Sequence, residues 1–384
     1  MYTPEFFADP HPTYRELREE AAVHRIQDPR GLTYWLITRF DEAKAALADP
    51  RLAKDPRHAW EALRNAGMVS GDPAEATFDL HTTDPPRHTR LRALVTKAFT
   101  TKRTEALRPR VQGIADELVA SLPDRTDLIG DFAYPLSLTV IAELLGIPIE
   151  DRDQFREWTT AAMTPPYITP EGMSREEGGR RLREYVTDLV ATKQEGDDLV
   201  SALRAGELKQ AEVVALTQQL LFAGHEPVMN LIGNGLAALF GHPEQLSLLR
   251  SQPALIAGAV DELLRYDGPT ARASPRYPTE DIEIAGTIIP AGSVVIVGVA
   301  SANRDPSRFD DPDRLDITRP EQPHLAFGHG IHRCLGVPLA RMEGEIAIGT
   351  LLRQRPSVRL DGELTWHPFP VFRGLQQLPV RFPG

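Results

Sequence analysis

The sequence has a single cysteine, Cys334, among its 384 residues. An internal disulfide is therefore impossible, which agrees with a reducing compartment. Long apolar runs are also missing, since the most continuous one, VVIVGVA at residues 294–300, is far too short to span a bilayer. The first residues, MYTPEFFADPHPTY, have no basic start followed by an apolar stretch and do not resemble a secretory signal. These features predict a cytoplasmic protein that crosses no membrane.

Basic residues are fewer than acidic residues in this sequence. Lysine and arginine number 43 against 54 aspartates and glutamates, which gives a net charge of -11. This balance argues against general nucleic-acid binding and against a basic patch for membrane surfaces. The hydrophobic share of 41% is typical of a globular protein, and the length is ample for a large buried core. We therefore expect a globular protein that binds neither nucleic acid nor membranes.

Helical patterns occupy most of the chain. Apolar residues recur at spacings of three and four, and cap residues and prolines stand where helices begin. Runs rich in β-branched and aromatic residues are fewer and shorter. The pattern predicts a mainly α fold with a smaller β region. Helices are expected after Asp41 and within Pro85–Ser121, Tyr134–Ile147, Glu207–Phe240 and Val337–Arg353, a strand at Leu32–Thr38, and a hairpin within Asp281–Val299.

The stretch AGHEPVMN, residues 223–230, places Pro227 inside the longest helical pattern. A proline there costs roughly 3 kcal/mol, because it lacks an N–H and its ring clashes with the carbonyl four residues earlier. Apolar residues nevertheless keep helical spacing on both sides, at Leu220, Leu221, Met229, Ile232, Leu236 and Leu239. The helix is therefore predicted to continue through Pro227 with a bulge or kink that frees the Ala223 carbonyl. A tolerated kink without mechanistic meaning is the alternative.

The segment FGHGIHRCLG, residues 327–336, surrounds the single cysteine. Its glycines allow positive φ and a close approach of the backbone to a flat ligand. Cys334 precedes the last long helix, whose free N–H groups favour a thiolate, and a thiolate is a plausible axial ligand for haem iron. An inert buried cysteine is one alternative. A zinc site of His329, His332 and Cys334 is another, although this spacing is not a standard zinc pattern.

This segment, F-G-x-G-x-x-x-C-x-G, resembles the haem-binding loop of the cytochrome P450 superfamily, and the soluble bacterial type in particular. The resemblance implies the cytochrome P450 fold in a single domain over residues 1–384. It also implies that haem b binds through the Cys334 thiolate, with Phe327 and Gly328 in the cofactor-binding loop. Further motifs support it in the right order along almost the whole chain.

One supporting motif is ELLR, which contains Glu262 and Arg265 on one helix face. Taken alone, such a pair is most often a surface salt bridge. In the family that the sequence resembles, an arginine from a later segment joins the pair and stabilises the core beneath the haem. Arg319 in LDITRP resembles that third residue. We therefore expect these three side chains to be structural rather than catalytic.

Haem carries two propionates, which require cationic partners when they are buried. His88 and Arg92 in HTRLR are four residues apart and share a helical face. The resemblance implies that both bind propionates, together with Arg276 in PRYPTED and His332 beside the cysteine. A solvated basic face is the alternative for His88 and Arg92.

In similar proteins the central helix reads A-G-x-(D/E)-T, and the threonine assists proton delivery during oxygen activation. Here Ala223, Gly224 and Glu226 match this pattern, whereas Pro227 replaces the threonine. We take these four positions as the catalytic segment. Glu226 is expected either to relay protons or to point away from the haem. An ordered water or a polar group of the substrate is expected to replace the missing hydroxyl.

The segment GNGLAA, residues 233–238, mimics a dinucleotide fingerprint but lies inside a helical pattern rather than between a strand and a helix. The chain therefore shows no nicotinamide or flavin module of its own. By resemblance, electrons come from a ferredoxin-type iron–sulfur protein and its reductase. Arg103, Arg333 and Arg341 are candidates for docking such an acidic partner.

The resemblance implies insertion of one oxygen atom into a small molecule, by hydroxylation or epoxidation, with dioxygen and two electrons. Many soluble bacterial members act on secondary metabolites. Oxidative aryl or phenol coupling and a peroxide-driven reaction remain alternatives, as does a non-catalytic haem carrier or gas sensor. Residues 60–78 and 163–173 are expected to form mobile lids. The pocket is expected to be lined by residues that could equally be ordinary core, namely Leu220, Val228, Ala271, Ala273 and Phe372.

Overall fold

A computed structural model describes residues 1–74, 79–148, 152–164 and 172–383. Most of these residues are helical. A short π-helical turn at Ile129–Ala133 leads into one of the helices. The α-helices are Pro4–Ala8, His11–Glu20, Phe40–Ala48, Trp60–Asn65, Arg87–Thr96, Thr101–Ser121, Tyr134–Leu145, Arg152–Met163, Arg175–Thr192, Leu199–Arg204, Gln210–Gly241, Pro243–Ser251, Ile256–Asp267, Val299–Ala302 and Val337–Gln354.

The strands are short and form several small sheets. Val23–Gln27 pairs antiparallel with Thr33–Ile37, which in turn pairs parallel with Val295–Val297. Ile282–Ile284 and Thr287–Ile289 form a hairpin. The remaining pairs are Leu52–Ala53 with Tyr277–Pro278, Pro379–Arg381 with Arg125–Asp127 and Arg359–Leu360, and Thr365–Trp366 with Leu375–Gln377.

The helix Gln210–Gly241, called the central helix below, is continuous through Pro227. It packs against Tyr134–Leu145, Arg175–Thr192, Ile256–Asp267 and the last long helix, Val337–Gln354. Its apolar side chains lie in the main hydrophobic core, where each fully buried leucine contributes about 1.5–3 kcal/mol. The predicted continuation of the helix through Pro227 is confirmed, because this burial on several sides outweighs the local cost of one proline.

Length does not make the central helix a membrane segment. It buries polar side chains, among them His225, Glu226, Asn230 and Asn234. In the part of the chain that the structure describes, no helix combines the length and the apolar character needed to cross a bilayer.

Most predicted elements are present, and the differences have local causes. The helical pattern of residues 85–121 divides into Arg87–Thr96 and Thr101–Ser121, because Thr100 caps the second helix through its side chain. The predicted hairpin of residues 281–299 contains only Ile282–Ile289, since the following Val295–Val297 joins a different sheet. Trp60–Asn65, which belongs to the first of the two expected lids, forms a short helix.

A buried charge cluster connects the helix Ile256–Asp267 to the later chain. Arg265 Nε and Nη2 lie 2.7 and 2.8 Å from the two carboxylate oxygens of Glu262. Arg319 Nε donates to Glu262 Oε1 at 3.2 Å, which confirms the expected three-residue arrangement. Arg265 also donates to the Asn303 carbonyl at 3.0 Å, and Asn303 Oδ1 accepts the Leu325 N–H at 2.7 Å. The cluster therefore positions the chain that enters the cysteine loop.

Removing the shared carboxylate should destabilise the protein strongly. Glu262→Ala leaves two buried guanidinium groups without their counter-charge, which costs about 3–5 kcal/mol. Urea denaturation is expected to show a large fall in the midpoint. Glu177→Ala, which removes exposed contacts to Arg180 and Arg181, is the matched control and should change the midpoint little. Equal midpoints for the two variants would contradict a structural role for Glu262.

Candidate active site

A cavity of about 1470 Å³ lies between the central helix and the cysteine loop. Ala223, Gly224, Pro227 and Val228 line it from the helix, and Cys334 lines it from the loop. Drug-sized ligands occupy pockets of roughly 300–1,000 Å³. This cavity is therefore large enough for a cofactor and a substrate together.

The cysteine loop has the backbone that its glycines predict. Gly328 and Gly330 have φ values of 70° and 76°. A Cβ at Gly330 would lie 2.7 Å from the Leu47 carbonyl oxygen, so a side chain there would also clash with a neighbouring helix. The loop closes when the Cys334 N–H donates to the Phe327 carbonyl at 2.9 Å. Phe327 and Gly328 line the same cavity, which places both predicted loop residues at the site.

The environment of the thiol differs from the expectation. Cys334 is open to the cavity, but burial away from bulk water raises the pKa of its thiol. The Gly336 backbone N–H, Arg92 and Arg333 act in the opposite direction. The predicted helix-end environment is thus present, but desolvation outweighs it in the protein alone. A coordinated metal ion deprotonates a thiol outright, so this shift is compatible with a thiolate ligand.

The zinc alternative finds no support in the described part of the chain. His329, His332 and Cys334 all line the cavity. Yet no group of three or more His, Cys, Asp or Glu side chains among the described residues is placed to hold a metal ion. The ring of His332 instead lies against that of His88, with the centroids 4.2 Å apart.

The four predicted propionate-binding residues all line the cavity and lie close together. Arg92 Nη2 donates to the Arg333 carbonyl at 2.8 Å, and Arg276 Nη1 donates to the Leu52 carbonyl at 3.3 Å. Three buried nitrogens have no hydrogen-bond partner among the described residues: His88 Nε2, His332 Nε2 and Arg276 Nε. Such donors fit the carboxylates of a haem.

Sequence reasoning missed two further basic groups in this cluster. Lys54 and His81 also line the cavity. Burial and the nearby Arg276 lower the pKa of Lys54 to about 7. Burial, Lys54 and Arg276 lower the pKa of His81 to about 3. The surrounding sequences look like solvated loops, so no local pattern distinguishes these residues from surface charges.

At residues 223–227, the central helix presents backbone and small side chains rather than polar side chains to the cavity. Ala223 is exposed to it, and its carbonyl lacks the usual donor because Pro227 has no N–H. Gly224 is required by close packing, since a Cβ there would lie 2.4 Å from Ile141 Cγ1. The wall thus combines a carbonyl that is free to accept a hydrogen bond with a surface that admits no larger residue at 224.

The structure places Glu226 behind the cavity wall, which is the second of the two positions expected for it. Its side chain is buried and is not part of the cavity wall. Asn230 Nδ2 donates to Glu226 Oε1 at 3.3 Å, and His225 Nε2 lies 3.8 Å from Oε2. Burial raises the pKa of Glu226 to about 7, although Asn230 and Arg156 lower it. Its side chain therefore has no direct contact with the cavity, and its role as a proton relay stays a prediction.

Four of the five predicted substrate residues line the cavity: Leu220, Val228, Ala273 and Phe372. Ala271 does not. It is buried, and its N–H is used in a bond to the Val371 carbonyl at 2.9 Å, while its neighbour Thr270 reaches the cavity. Parts of the two expected lids, residues 75–78 and 165–171, lie outside the described residues.

Glu343, on the last long helix, is a second carboxyl that the sequence did not reveal. It lines the cavity and is fully buried, and neither oxygen has a hydrogen-bond partner among the described residues. Desolvation raises its pKa well above the ordinary value. The sequence contains only a weak signal for this site. Glu343 stands between Met342 and Gly344, in a helix whose buried positions are otherwise mostly apolar.

Comparison with known proteins decides the family. Cytochrome P450 monooxygenase PikC of Streptomyces venezuelae is 46% identical, over 98% of this chain and 92% of PikC. The chain belongs to the cytochrome P450 family. The family model for cytochrome P450 matches residues 173–355. The mycinamicin IV hydroxylase/epoxidase of Micromonospora griseorubida is 39% identical, over 96% of this chain and 94% of that protein.

Solved P450 structures confirm the predicted fold. The crystal structure of myxobacterial cytochrome P450 CYP267B1 in complex with myristic acid superposes with a TM-score of 0.94 and 38% identity, covering 100% of this chain and 98% of the other. The chain is therefore a P450 oxidoreductase of the monooxygenase type. Membership implies a haem–thiolate cofactor, a small-molecule substrate and separate redox partners.

Replacing the thiol should change the ligation of the iron without unfolding the protein. In Cys334→Ser, we expect the carbon-monoxide complex of the reduced protein to lose the absorption band typical of thiolate-bound haem, because the sulfur donor is gone. Absorption spectroscopy measures this directly. His329→Ala, in the same loop and at the same cavity, is the control and should retain the band. A Cys334→Ser protein with an unchanged band would contradict the assignment.

The buried Glu226 should make stability depend on pH. Burial raises the pKa of Glu226 from 4.5 to about 7 in the folded protein, so its contribution to stability is complete below pH 4.5, decreases as the pH rises from 4.5 to 7, and is lost above that. Glu226→Gln removes this loss, amounting to about 3 kcal/mol at pH 8. The thermal midpoint of Glu226→Gln, relative to that of the native protein, should be higher at pH 8 than at pH 5. Exposed Glu244→Gln is the control, and a pH-independent difference for Glu226→Gln would contradict the shift.

Proposed function

We propose that the protein inserts one oxygen atom of dioxygen into a C–H or C=C bond of an apolar small molecule, using two electrons and two protons and releasing water. One observation carries this proposal: Cys334 lines the same cavity as Ala223, Gly224 and Pro227 of the central helix. The cavity is large enough for a flat cofactor beside the cysteine and a substrate beside the central helix. Coverage of almost the whole chain by PikC supports one functional unit over residues 1–384.

The bound cofactor in this proposal is haem b. Cys334 Sγ would hold the iron, and Phe327 and Gly328 would lie against the ring from the loop side. His88, Arg276 and His332 would bind the two propionates through their buried nitrogens, and Arg92 would add its charge from the same cavity. When bound, the haem supplies the chemistry of dioxygen activation, which no side chain of the protein can provide.

Secondary metabolites such as polyketides are the proposed substrate class. The relative from Micromonospora griseorubida is named for hydroxylation and epoxidation of mycinamicin IV, and PikC is likewise a monooxygenase. In this chain, Leu220, Val228, Ala273 and Phe372 present an apolar surface to the ligand. Such a wall selects by shape and excludes water from the reacting carbon.

Pro227 determines how protons reach the site. Because the Ala223 carbonyl accepts no helix hydrogen bond from residue 227, it is free to hold a water molecule or a hydroxyl group of the substrate. We propose that this held hydroxyl takes the place of the threonine side chain. The fully buried alternative acid, Glu226, lies behind the wall rather than in it.

Electrons are proposed to come from a ferredoxin-type protein and its reductase. Arg103 and Arg333 are exposed and available for an acidic partner. Arg341 is less available than expected, since its Nε donates to Asp261 at 2.7 Å and its guanidinium lies 5.6 Å from the centre of the Phe327 ring. The proposed docking surface therefore depends on the first two arginines.

Pro227 also favours a second candidate reaction. Aryl or phenol coupling and peroxide-driven oxidation do not need the usual proton delivery to dioxygen, and the central helix offers no hydroxyl side chain at this position. Turnover with hydrogen peroxide in place of the redox partners separates the peroxide reaction from the dioxygen reaction. Formation of a dimeric phenol product separates coupling from hydroxylation.

Substrate-assisted proton delivery predicts a specific coupling pattern. Compounds that shift the haem absorption band identify ligands, and pairs of ligands with and without a hydroxyl are then compared. In the native enzyme, we expect several-fold less product per reducing equivalent from the dehydroxylated member, because nothing replaces the held hydroxyl. Pro227→Thr should reduce this difference by supplying a hydroxyl.

The matched control is Pro227→Ala, which restores the helix N–H without adding a hydroxyl. It should couple poorly with both members of each pair. If the native enzyme couples all analogues equally well, substrate-assisted delivery is wrong and Pro227 is a tolerated kink.

A further inference from the structure

Lys54 is a buried lysine at the cavity that no other feature of the site explains. Only 3% of the residue is exposed. Its Nζ donates to the Pro275 carbonyl at 2.9 Å, to the Ser274 carbonyl at 3.3 Å and to Ser274 Oγ. All three acceptors are neutral. An ammonium group therefore lies away from bulk water without a hydrogen-bonded carboxylate among the described residues.

The nearest acids are already used for other bonds. The carboxylate of Asp84 accepts the backbone N–H groups of Lys54 and Asp55 at 2.9–3.0 Å. The carboxylate of Asp79 accepts the N–H groups of His81 and Thr82 at 2.8 and 3.0 Å. Both stabilise Lys54 through space, but neither contacts its Nζ. A buried cation with this environment is suited to an incoming anion.

The other basic groups facing Lys54 have settled protonation states near neutral pH. Burial and neighbouring cations lower the pKa of His81 to about 3, which favours its neutral form. Burial lowers the pKa of Arg276 to about 10, so it stays charged. Burial also lowers the pKa of His88, and Arg92 remains a cation. Lys54, with a pKa of about 7, is the member of this described cluster that changes charge between pH 7 and 9.

We propose that Lys54 is a further carboxylate-binding residue of the haem site and that it takes up a proton from solvent when haem binds. Pro275, whose carbonyl accepts from Nζ, immediately precedes Arg276, so the two cations flank one short segment. Arg92, Arg276 and Lys54 then face the two propionates from separate parts of the chain. The inference rests on the proposed haem site and adds one residue and one linked proton to it.

Haem affinity depends on pH through the proton that Lys54 takes up on binding. Below pH 7, Lys54 is already charged in the haem-free protein, so haem binding requires no proton at this residue. Above pH 7, the haem-free protein has lost this proton, whereas the bound carboxylates raise the pKa of Lys54 and require its return. The haem affinity of the native protein should therefore fall with rising pH relative to a variant whose residue 54 does not titrate, by up to about tenfold per pH unit. The thiol of Cys334 loses its proton when iron binds, which acts in the opposite direction but is common to the native protein and to every Lys54 variant.

The experiment measures the partition of haem between this protein and an acceptor apoprotein whose haem affinity is constant from pH 6.5 to 9. Lys54→Arg is charged at every pH used, and it should bind haem as tightly as the native protein below pH 7. Above pH 7, the native protein should bind haem progressively more weakly than Lys54→Arg. Lys54→Met should hold haem about tenfold more weakly than Lys54→Arg at every pH, because the charge is absent throughout.

Lys44→Met, an exposed substitution on the helix Phe40–Ala48, is the matched control and should behave like the native protein. Native-to-variant affinity ratios that do not change with pH for either Lys54 variant overturn the inference while leaving the haem site in place. Failure of the native protein to bind haem at any pH overturns the site itself. Recovery of binding by arginine but not by methionine separates a charge effect from a loss of packing, because both long side chains fill the position.

Discussion

The site depends on how firmly the cysteine loop is held. Glu262 binds Arg265 and Arg319 in a buried cluster, Arg265 donates to the Asn303 carbonyl, and Asn303 Oδ1 accepts the Leu325 N–H at the entrance of the loop. Within the loop, Gly328 and Gly330 have positive φ, and the Cys334 N–H donates to the Phe327 carbonyl. Buried charge pairs are a costly way to stabilise a protein. Here the cluster fixes the backbone from which the thiol enters the cavity.

The cavity is electrostatically divided. One part gathers basic groups from several distant segments, and the other, beside the central helix, is largely apolar. Bringing so many basic groups together away from water would be unfavourable if all of them were charged. Desolvation and the neighbouring cations lower the pKa values of His81 and His332, which favours neutral imidazoles and reduces the charge of the cluster. In the proposed haem site, the arginines and Lys54 then supply the charges that a ligand with two carboxylates requires.

The central helix serves two purposes that conflict locally. It is the longest helix of the described chain and lies in the main core, yet at Ala223–Pro227 it must leave space for a substrate. Gly224 permits tight packing against Ile141 on one side, while Pro227 frees a carbonyl towards the cavity. Burial elsewhere along the helix outweighs the cost of the proline. Pro227 also leaves this position without a hydroxyl side chain, so under the proposed function proton delivery depends on water or on the substrate.

The sequence by itself predicted the family and the mainly α fold, and its resemblance to the family pointed to Cys334 and to four residues that the structure brings to one cavity, because each lies in a local motif with a distinctive spacing. It also predicted the course of the helix through Pro227, since apolar periodicity continues on both sides. Tertiary structure alone placed Glu226 behind the cavity wall, Ala271 away from the pocket, and Lys54, His81 and Glu343 within the site. These positions depend on which way a side chain faces after distant segments pack, and no local spacing records that. A charged residue in a loop has the same sequence signature whether it meets water or a buried cofactor.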